Sequence, residues 1–241
     1  MKKIVIISGA TKGLGLAISS LLVESGYLVV GVSRNNTDEF NKLMTSEPDS
    51  VFFHSFDFSE TKSISTLVKK IVKLYGRPYA LVNNAALGHD GVLATMHEKD
   101  ISELIKVNIE APILLAKYVS RAMLLNREGR IVNIGSIIGS TGFNGLSVYG
   151  ATKSALNGFS KSLSRELGKA NITVNTLAPG YMKTNMTQGL KGDKLASIVR
   201  RSPLGRLASV DDAAQAVSFF LSDGAGSITG TTITVDAGST A

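Results

Sequence analysis

The chain of 241 residues contains no cysteine and no tryptophan. Without cysteine there is no disulfide, no thiolate nucleophile and no cysteine-ligated zinc, and this composition fits a cytoplasmic protein. No stretch approaches the ~18 consecutive apolar residues of a membrane span, so no membrane association is expected. The charged start is followed only by the short apolar run Ile4–Ile7, which favours a β-strand over a signal peptide.

Long blocks of like charge are also missing, although the formal net charge is +7. The basic residues are scattered in pairs such as Lys69-Lys70, whereas nucleic-acid-binding tails carry longer runs. No nucleic-acid partner is expected, and the mild basicity suits an anionic cofactor or an acidic partner. His54, His89 and His97 lack metal-ligand spacing such as HExxH, so no metal site is expected.

Strand-like and helix-like segments alternate along the chain. Most strand candidates are nearly continuous apolar runs, which are typical of parallel strands covered on both faces. The alternation predicts right-handed βαβ units and an α/β fold of the Rossmann type, a doubly wound sandwich around a mostly parallel seven-stranded sheet. The predicted strands are Lys3–Ser8, Leu28–Ser33, Val51–Ser55, Ala80–Asn83, Arg130–Ser136, Thr173–Ala178 and Thr232–Val235. The predicted helices are Leu14–Ser25, Asp38–Thr45, Lys62–Tyr75, Glu98–Asn126, Tyr149–Gly168 and Val210–Ser222.

The length suits one α/β domain over residues 1–241. The least regular part is the polar segment 181–203, which follows the sixth predicted strand. Such a segment beyond a strand's carboxyl end is where a mobile substrate lid is expected.

A glycine cluster, Gly9, Gly13 and Gly15, lies between the first predicted strand and the first predicted helix. Glycine permits a tight turn and lets backbone N–H groups approach a pyrophosphate, which the positive end of the helix also attracts. This context favours a dinucleotide-binding loop, and a glycine-rich turn without a ligand is the alternative. The P-loop pattern is absent, because no Gly-Lys-Ser/Thr follows the first glycine.

The end of the second predicted strand bears on the choice between NAD and NADP. An acidic side chain there would bind the ribose hydroxyls of NAD, whereas a nearby arginine accommodates the 2′-phosphate of NADP. Ser33 and Arg34 occupy this place, and Lys12 lies in the glycine loop. NADP(H) is therefore the expected cofactor, with Arg34 as an ordinary surface residue the alternative. Asp38 and Glu39 follow, where they suit the first turn of a helix.

A serine, a tyrosine and a lysine stand around the fifth predicted strand and the following helix. Tyr149 and Lys153 are four residues apart and share a helix face, while Ser136 ends the strand. A cation lowers a phenol's pKa from about 10, so Lys153 is expected to make Tyr149 a usable proton donor and Ser136 to hold a substrate oxygen. YxxxK also occurs by chance, which leaves a surface tyrosine and lysine as the alternative. Ser136 is not in a GxSxG pattern, which disfavours a hydrolytic nucleophile.

In order along the chain, these motifs resemble the classical short-chain dehydrogenase/reductase family, and the resemblance covers the whole chain. Further matches are Asn83-Asn84-Ala85-Ala86, with alanine for the family's final glycine, and the turn Pro179-Gly180 followed by Thr184. Ser8 keeps the hydroxyl of the family's usual threonine. The catalytic residues that the resemblance implies are Asn108, Ser136, Tyr149 and Lys153. The cofactor-binding residues that it implies are Gly9, Thr11, Lys12, Gly13, Leu14, Gly15, Ser33, Arg34, Asp57, Phe58, Asn84, Ala85, Ala86, Tyr149, Lys153, Pro179, Gly180, Met182 and Thr184.

Within the family, the resemblance is strongest to β-ketoacyl-[acyl-carrier-protein] reductases, through Ile172–Met186, Pro203–Leu207 and Ile228–Gly238. It implies NADPH-dependent reduction of a ketone, above all a 3-oxoacyl thioester, by a homotetramer. It also implies that Lys153 binds the cofactor ribose and that Asn108 fixes a proton-relay water. Arg127 and Arg130 are candidates for a patch that meets an acidic acyl carrier protein, but the family's second arginine, just before Ile172, is absent.

Two other functions stay open at this point. One is an NAD(P)-dependent dehydrogenase of a sugar, polyol or other secondary alcohol, since the same motifs serve many reductases. The other is a non-catalytic NADP-binding sensor, although the intact Asn108, Ser136, Tyr149 and Lys153 argue against it. The substrate depends on three loop-like segments, Leu87–Thr95, Gly139–Ser147 and Tyr181–Pro203, from which no molecule can be read.

Overall fold

The computed structural model describes residues 2–182 and 193–241. The strands in this part of the chain are β1 (Ile4–Ser8), β2 (Leu28–Ser33), β3 (Val51–Ser55), β4 (Ala80–Asn83), β5 (Gly129–Ile134), β6 (Ile172–Pro179) and β7 (Thr232–Val235). The helices are α1 (Gly13–Glu24), α2 (Asp38–Ser46), α3 (Ile64–Tyr75), α4 (Glu98–Ile105), α5 (Ala111–Asn126), α6 (Ser147–Leu167), α7 (Asp193–Arg201) and α8 (Val210–Leu221). The predicted α/β fold is confirmed.

All seven strands belong to one parallel sheet with the order β3-β2-β1-β4-β5-β6-β7. The strand order reverses direction between β1 and β4, and in such sheets a ligand binds in the crevice beyond the carboxyl ends at this point. The register places Ser8 beside Asn83, and Asn83 beside Asn133. The ends of the three central strands therefore meet at one edge of the sheet.

Two helical layers cover the sheet, because its side chains alternate between the two faces. Val5 and Ile7 pack in a core cluster that includes α1 and α8, whereas Ile4 and Ile6 pack in a cluster that includes α3, α5 and α6. Each face thus buries one apolar layer, as the continuous apolar runs of the strands predict.

The predicted helix Glu98–Asn126 is interrupted. A π-helical turn, Lys106–Glu110, separates α4 from α5. Pro112 lies in the first turn of α5, and it has no N–H to donate to the carbonyl of Asn108 four residues earlier. The α-helical hydrogen-bond ladder therefore cannot continue through this point, and Pro112 is the sequence signal that marks the interruption.

The end of β5 also differs from the prediction, and α6 buries one of its faces. β5 ends at Ile134, so Ser136 follows the strand and caps the next short turn by accepting a hydrogen bond from the N–H of Ile138 at 3.2 Å. In α6, Ala155 is exposed, whereas Leu156, Leu163 and Leu167 are buried.

The segment 181–203, predicted to be a lid, contains α7 at its end, and residues 183–192 of this segment lie outside the described part. In the described residues, none of the helices combines the length and the apolar character that crossing a membrane requires.

Candidate functional site

The loop after β1 brings the backbone into a narrow space. Gly9 and Gly13 have φ angles of +68° and +54°, in the left-handed region that favours glycine. A Cβ atom at Gly15 would collide with the carbonyl oxygen of Gly9 and would lie 2.7 Å from the side-chain amide nitrogen of Asn84. Gly15 is therefore required where α1 packs against the loop, as in a loop that offers its N–H groups to a phosphate.

The end of β4 is tied to this loop by hydrogen bonds. The Asn84 Nδ2 donates to the carbonyl oxygens of Ser8 at 3.0 Å and Gly9 at 2.9 Å. The Ser8 hydroxyl accepts from the backbone N–H groups of Asn84 and Ala85, each at 3.0 Å. The serine thus supplies a hydroxyl where the family usually has threonine, and the predicted cofactor residues Asn84 and Ala85 lie beside the glycine loop.

At the other side of the loop, the end of β2 offers a polar pocket with two cations nearby. Ser33 is buried, and its hydroxyl oxygen has no hydrogen-bond partner among the described residues. Arg34 and Lys12 are both exposed. Thr11 fixes the loop by donating from Oγ1 to the carbonyl oxygen of Asn35 at 3.1 Å. An unpaired buried hydroxyl beside two cations fits the phosphorylated ribose of NADP.

Asp57 and Phe58, two of the predicted cofactor-binding residues, follow β3. Asp57 is exposed, and its carboxylate accepts a hydrogen bond from the N–H of Ser59 at 2.9 Å. This hydrogen bond, with the charge of Arg34, lowers the pKa of Asp57. Phe58 is 5% exposed and packs in the core. Asp57 therefore presents its carboxylate to solvent, whereas the side chain of Phe58, also predicted to bind the cofactor, is buried in the core and leaves only its backbone for such a contact.

Asn108 lies in the π-helical turn and is buried. Its side-chain amide donates to the carbonyl oxygen of Leu87 at 2.9 Å and to the Thr152 hydroxyl at 3.2 Å, and it accepts from the N–H of Leu87 at 2.8 Å. The side chain thereby joins the loop after β4 to α6. Thr152 was not among the predicted site residues, although it precedes Lys153 directly.

Ser136, Tyr149 and Lys153 come together at the carboxyl end of β5. Ser136 lies close enough to the Tyr149 phenol to lower its pKa, against the effect of burial. Lys153 is 3% exposed, and its Nζ donates to the carbonyl oxygen of Ile134 at 2.9 Å while lying 5.7 Å from the centre of the Tyr149 ring. The structure therefore brings together the serine, tyrosine and lysine that the sequence motif predicts.

The pKa of Tyr149 differs in direction from the sequence-based expectation. Burial raises it to about 12, against the opposing effect of the hydrogen bond with Ser136, while Asp90 and Tyr181 raise it further. Burial lowers the pKa of Lys153 to about 8. The expected lowering by Lys153 is not observed, because the loss of solvent around the phenol dominates.

The predicted cofactor-binding residues Pro179 and Gly180 lie at and just after the end of β6. The N–H of Gly180 donates to the carbonyl oxygen of Val235 at 2.9 Å, and a Cβ there would lie 2.6 Å from that of Asp236. Met182 is 9% exposed. Thr184 lies outside the described residues. Ala86, like Asn84 and Ala85, is half-buried in the loop that follows β4.

Two residues that the sequence did not single out, Asp90 and Tyr181, lie near Tyr149. Asp90 is exposed and interacts electrostatically with both Tyr149 and Tyr181. The Tyr181 ring packs on Phe143 with 5.9 Å between ring centres. The available signal for Tyr181 was its position directly after Pro179-Gly180. Asp90 lies in the predicted substrate segment Leu87–Thr95, but only the tertiary structure shows its interaction with Tyr149.

Arg127 and Arg130 do not form the predicted patch at the mouth of the site. Both lie at the amino end of β5, roughly 20 Å of strand away from its carboxyl end. Arg130 is 4% exposed, donates to the carbonyl oxygens of Gly129 at 2.9 Å and Asn171 at 3.4 Å, and packs on the Tyr79 ring. The structure therefore does not place these two arginines at the mouth of the site, and Arg130 is a buried structural residue.

A cluster of possible metal ligands forms beside the site. His89, Asp100 and Glu103 place one ligand atom each within 4.8 Å of one another. The Nε2 of His89 lies 3.7 Å from a Glu103 carboxylate oxygen, and both side chains are more than a third exposed. Sequence spacing missed this group, because His89 comes from the loop after β4 and the two acids from α4.

Comparisons with known proteins agree with this geometry. The family model described as Enoyl-(Acyl carrier protein) reductase matches residues 9–240. The 3-oxoacyl-[acyl-carrier-protein] reductase FabG of Escherichia coli (strain K12) is 37% identical over 238 residues, covering 98% of this chain and 96% of that protein. Carbonyl reductase family member 4 of Xenopus tropicalis is 39% identical over 238 residues, covering 99% and 98%.

A solved structure shares the whole architecture. It is a gluconate 5-dehydrogenase from Burkholderia cenocepacia J2315 in complex with NADP and tartrate. The superposition has a TM-score of 0.94 at 26% sequence identity, and it covers 100% of this chain and 96% of that one. With the family match over nearly every residue, the chain belongs to the short-chain dehydrogenase/reductase family of oxidoreductases.

Proposed function

We propose that the protein reduces a ketone to a secondary alcohol with NADPH, and that the ketone is the 3-oxo group of an acyl thioester. The observation that carries the proposal is the meeting of Tyr149 and Ser136 at a site where the buried Lys153 ammonium lies 5.7 Å from the centre of the Tyr149 ring. A hydroxyl pair of this kind can hold a carbonyl oxygen and give it a proton.

NADP(H) fits the residues at the carboxyl edge of the sheet. The glycine loop and the start of α1 would hold the pyrophosphate, and Asn84 keeps this loop in place. The unpaired Ser33 hydroxyl, with Arg34 and Lys12, would hold the 2′-phosphate. When bound, NADPH supplies the hydride that the carbonyl carbon accepts.

The proton comes from Tyr149. Because its pKa is raised, Tyr149 is protonated at neutral pH and donates to the substrate oxygen, which Ser136 holds by a second hydrogen bond. Lys153 stays mainly protonated at pH 7 with a pKa of about 8, so its positive charge lies beneath the phenol that is left negative. Asn108 positions α6 through its hydrogen bond to Thr152. The proposal also includes a water molecule, held by Asn108, that relays protons.

Tyr149→Phe tests this mechanism. The variant keeps the ring and removes the proton donor, so turnover is expected to fall by about 10²–10⁴, whereas NADPH binding, followed by the change in cofactor fluorescence, is retained. Tyr118→Phe on α5 is the matched control, since it removes a phenol hydroxyl outside the site. Near wild-type turnover in Tyr149→Phe would remove Tyr149 from the mechanism.

Similarity to FabG supports the thioester, and the gluconate dehydrogenase supports a second candidate, oxidation of a sugar, polyol or other secondary alcohol. The polar groups Asp90 and Tyr181 near Tyr149 favour this second candidate. Rates of NADPH oxidation with acetoacetyl-CoA, and of NADP reduction with a panel of sugars and polyols, separate the two. Turnover with either also excludes a non-catalytic sensor.

The finer proposals concern the carrier protein, the oligomeric state, the cellular location and the domain organisation. Recognition of acyl carrier protein is supported by the names of the FabG relatives, and a lower KM for acetoacetyl-carrier protein than for acetoacetyl-CoA tests it. A homotetramer is supported by exposed apolar residues at the end of α5, Leu124 and Leu125, and by the exposed Ala155 on α6. Light scattering on the protein as it elutes from a size-exclusion column measures the mass of the assembly and tests the tetramer. A cytoplasmic location and one domain over residues 1–241 complete the proposal.

A further inference from the structure

Tyr181 lies at the same edge of the sheet as the catalytic serine. It follows Pro179-Gly180 at the carboxyl end of β6, and β6 pairs with β5 in parallel register, with Ile134 beside Leu177. The N–H of Gly135 donates to the carbonyl oxygen of Leu177 at 2.7 Å, which continues the pairing toward Ser136. Tyr181 therefore leaves β6 close to the point where Ser136 leaves β5.

The Tyr181 hydroxyl is buried and has no hydrogen-bond partner in the part of the chain that the structure describes. Its ring is held in place by Phe143, from the loop before α6, with the two ring planes at 56°. A buried hydroxyl without a partner costs free energy, and such a group in a native protein calls for an explanation. A ligand oxygen at this position would provide the missing partner.

The surroundings of Tyr181 point to the substrate side of the site. Tyr181 and Tyr149 interact electrostatically, and Asp90 acts on both phenols. Burial and Asp90 raise the pKa of Tyr181, against the opposing effect of Arg201, so its hydroxyl remains protonated and able to donate. The group therefore offers an O–H close to the proton donor of the reaction.

We propose that the Tyr181 hydroxyl donates a hydrogen bond to a second oxygen of the substrate, one or two carbons from the reacting carbonyl, and so selects oxygen-bearing ketones over simple ones. The inference rests on the proposed ketone reduction and assigns a specificity-determining residue to it. The thioester carbonyl of a 3-oxoacyl substrate and the hydroxyl of a hydroxyketone share this chemistry. Tyr181 binds and orients the substrate, whereas Ser136 and Tyr149 act on the oxygen that is reduced.

The experiment compares three substrates in the wild type and in Tyr181→Phe with NADPH: acetoacetyl-CoA, 4-hydroxy-2-butanone and 2-butanone. The phenylalanine keeps the contact with Phe143 and removes only the hydroxyl. The variant loses the hydrogen bond from Tyr181 to the second oxygen of the substrate. We therefore expect kcat/KM for the oxygen-bearing ketone that the enzyme uses to fall about tenfold more than kcat/KM for 2-butanone. Whether acetoacetyl-CoA or 4-hydroxy-2-butanone shows the larger differential loss identifies the source of the second oxygen.

Controls keep this test separate from the proposed function. Tyr118→Phe on α5 is expected to leave all three kcat/KM values unchanged, and equal thermal melting of wild type and Tyr181→Phe shows that the fold is intact. An unchanged ratio between oxygen-bearing and simple ketones in Tyr181→Phe overturns the inference alone. Failure of the wild type to reduce any ketone, or full activity of Tyr149→Phe, overturns the proposed function and the inference with it.

Discussion

Replacement of Lys153 by methionine is expected to remove activity and to stabilise the protein in the absence of cofactor at pH 7. The side chain is 3% exposed, and its ammonium has one described hydrogen bond, to the carbonyl oxygen of Ile134 at 2.9 Å. Burial of a charge without a carboxylate partner is unfavourable, which is why the pKa falls from 10.5 to about 8. Methionine has a similar length and no charge to bury.

The size of the effect follows from the pKa. One pH unit corresponds to about 1.4 kcal/mol, so the depression from 10.5 to about 8 represents about 3 kcal/mol of lost stability for the charged form. Methionine avoids this cost but leaves the Ile134 carbonyl without its donor, which costs about 1–3 kcal/mol. The expected net gain in the free energy of unfolding at pH 7 is therefore up to about 2 kcal/mol.

The pH dependence is the sharper test. Between the folded pKa of about 8 and the unfolded pKa of 10.5, the unfolded chain binds more protons at Lys153 than the folded protein does. The contribution of Lys153 to stability therefore rises with pH in this window and is lowest below pH 8. Tyr149, whose folded pKa is raised to about 12, adds stability below pH 10 that is lost as pH rises through 12. Because both proteins keep Tyr149, its contribution largely cancels in the difference.

Urea unfolding at pH 7, 8.5 and 10, followed by circular dichroism, measures the difference between wild type and Lys153→Met. The advantage of the variant is expected to shrink as the pH rises toward 10.5. Lys161→Met is the matched control, because it removes an exposed lysine from the same helix. A difference between wild type and Lys153→Met that is the same at all three pH values would refute the argument that desolvation of Lys153 costs stability.

Three further predictions test the cofactor site and one helix cap. Gly15→Ala places a methyl group against the Gly9 carbonyl, so the loop must shift, and we expect the Kd for NADPH in a fluorescence titration to rise by about tenfold or more; an unchanged Kd would show that the loop is not part of the cofactor site. Arg34→Ala removes a cation beside Ser33 and is expected to lower the NADPH-over-NADH ratio of kcat/KM by about 10–100-fold, whereas an unaltered ratio would make Arg34 a surface residue only. Ser209→Ala removes the hydroxyl that accepts a hydrogen bond from the N–H of Asp212 at 2.9 Å in the capping box of α8. Thermal unfolding is expected to show that the free energy of unfolding falls by about 1 kcal/mol, with turnover unchanged. An unchanged free energy of unfolding would mean that water replaces the serine as the hydrogen-bond acceptor.

The central strands of the sheet were predictable because they are buried on both faces. A continuous apolar run such as that of β1 satisfies both layers at once, and the glycine that follows marks its end. The π-helical turn before α5 was missed, although Pro112, which has no N–H for a carbonyl of the preceding turn, was the available signal in the sequence.

The amino-acid sequence by itself determined the fold class, the place of the glycine loop, and the spacing that puts Tyr149 and Lys153 on one face of α6. These properties depend on local backbone freedom and on helix and strand periodicity, which neighbouring residues carry. Only the tertiary structure decided the raised pKa of Tyr149, the burial of Arg130 at the opposite edge of the sheet, and the approach of Asp90 and Tyr181 to the site. Desolvation and charge depend on everything packed around a group, including residues distant along the chain, and no local pattern records that environment.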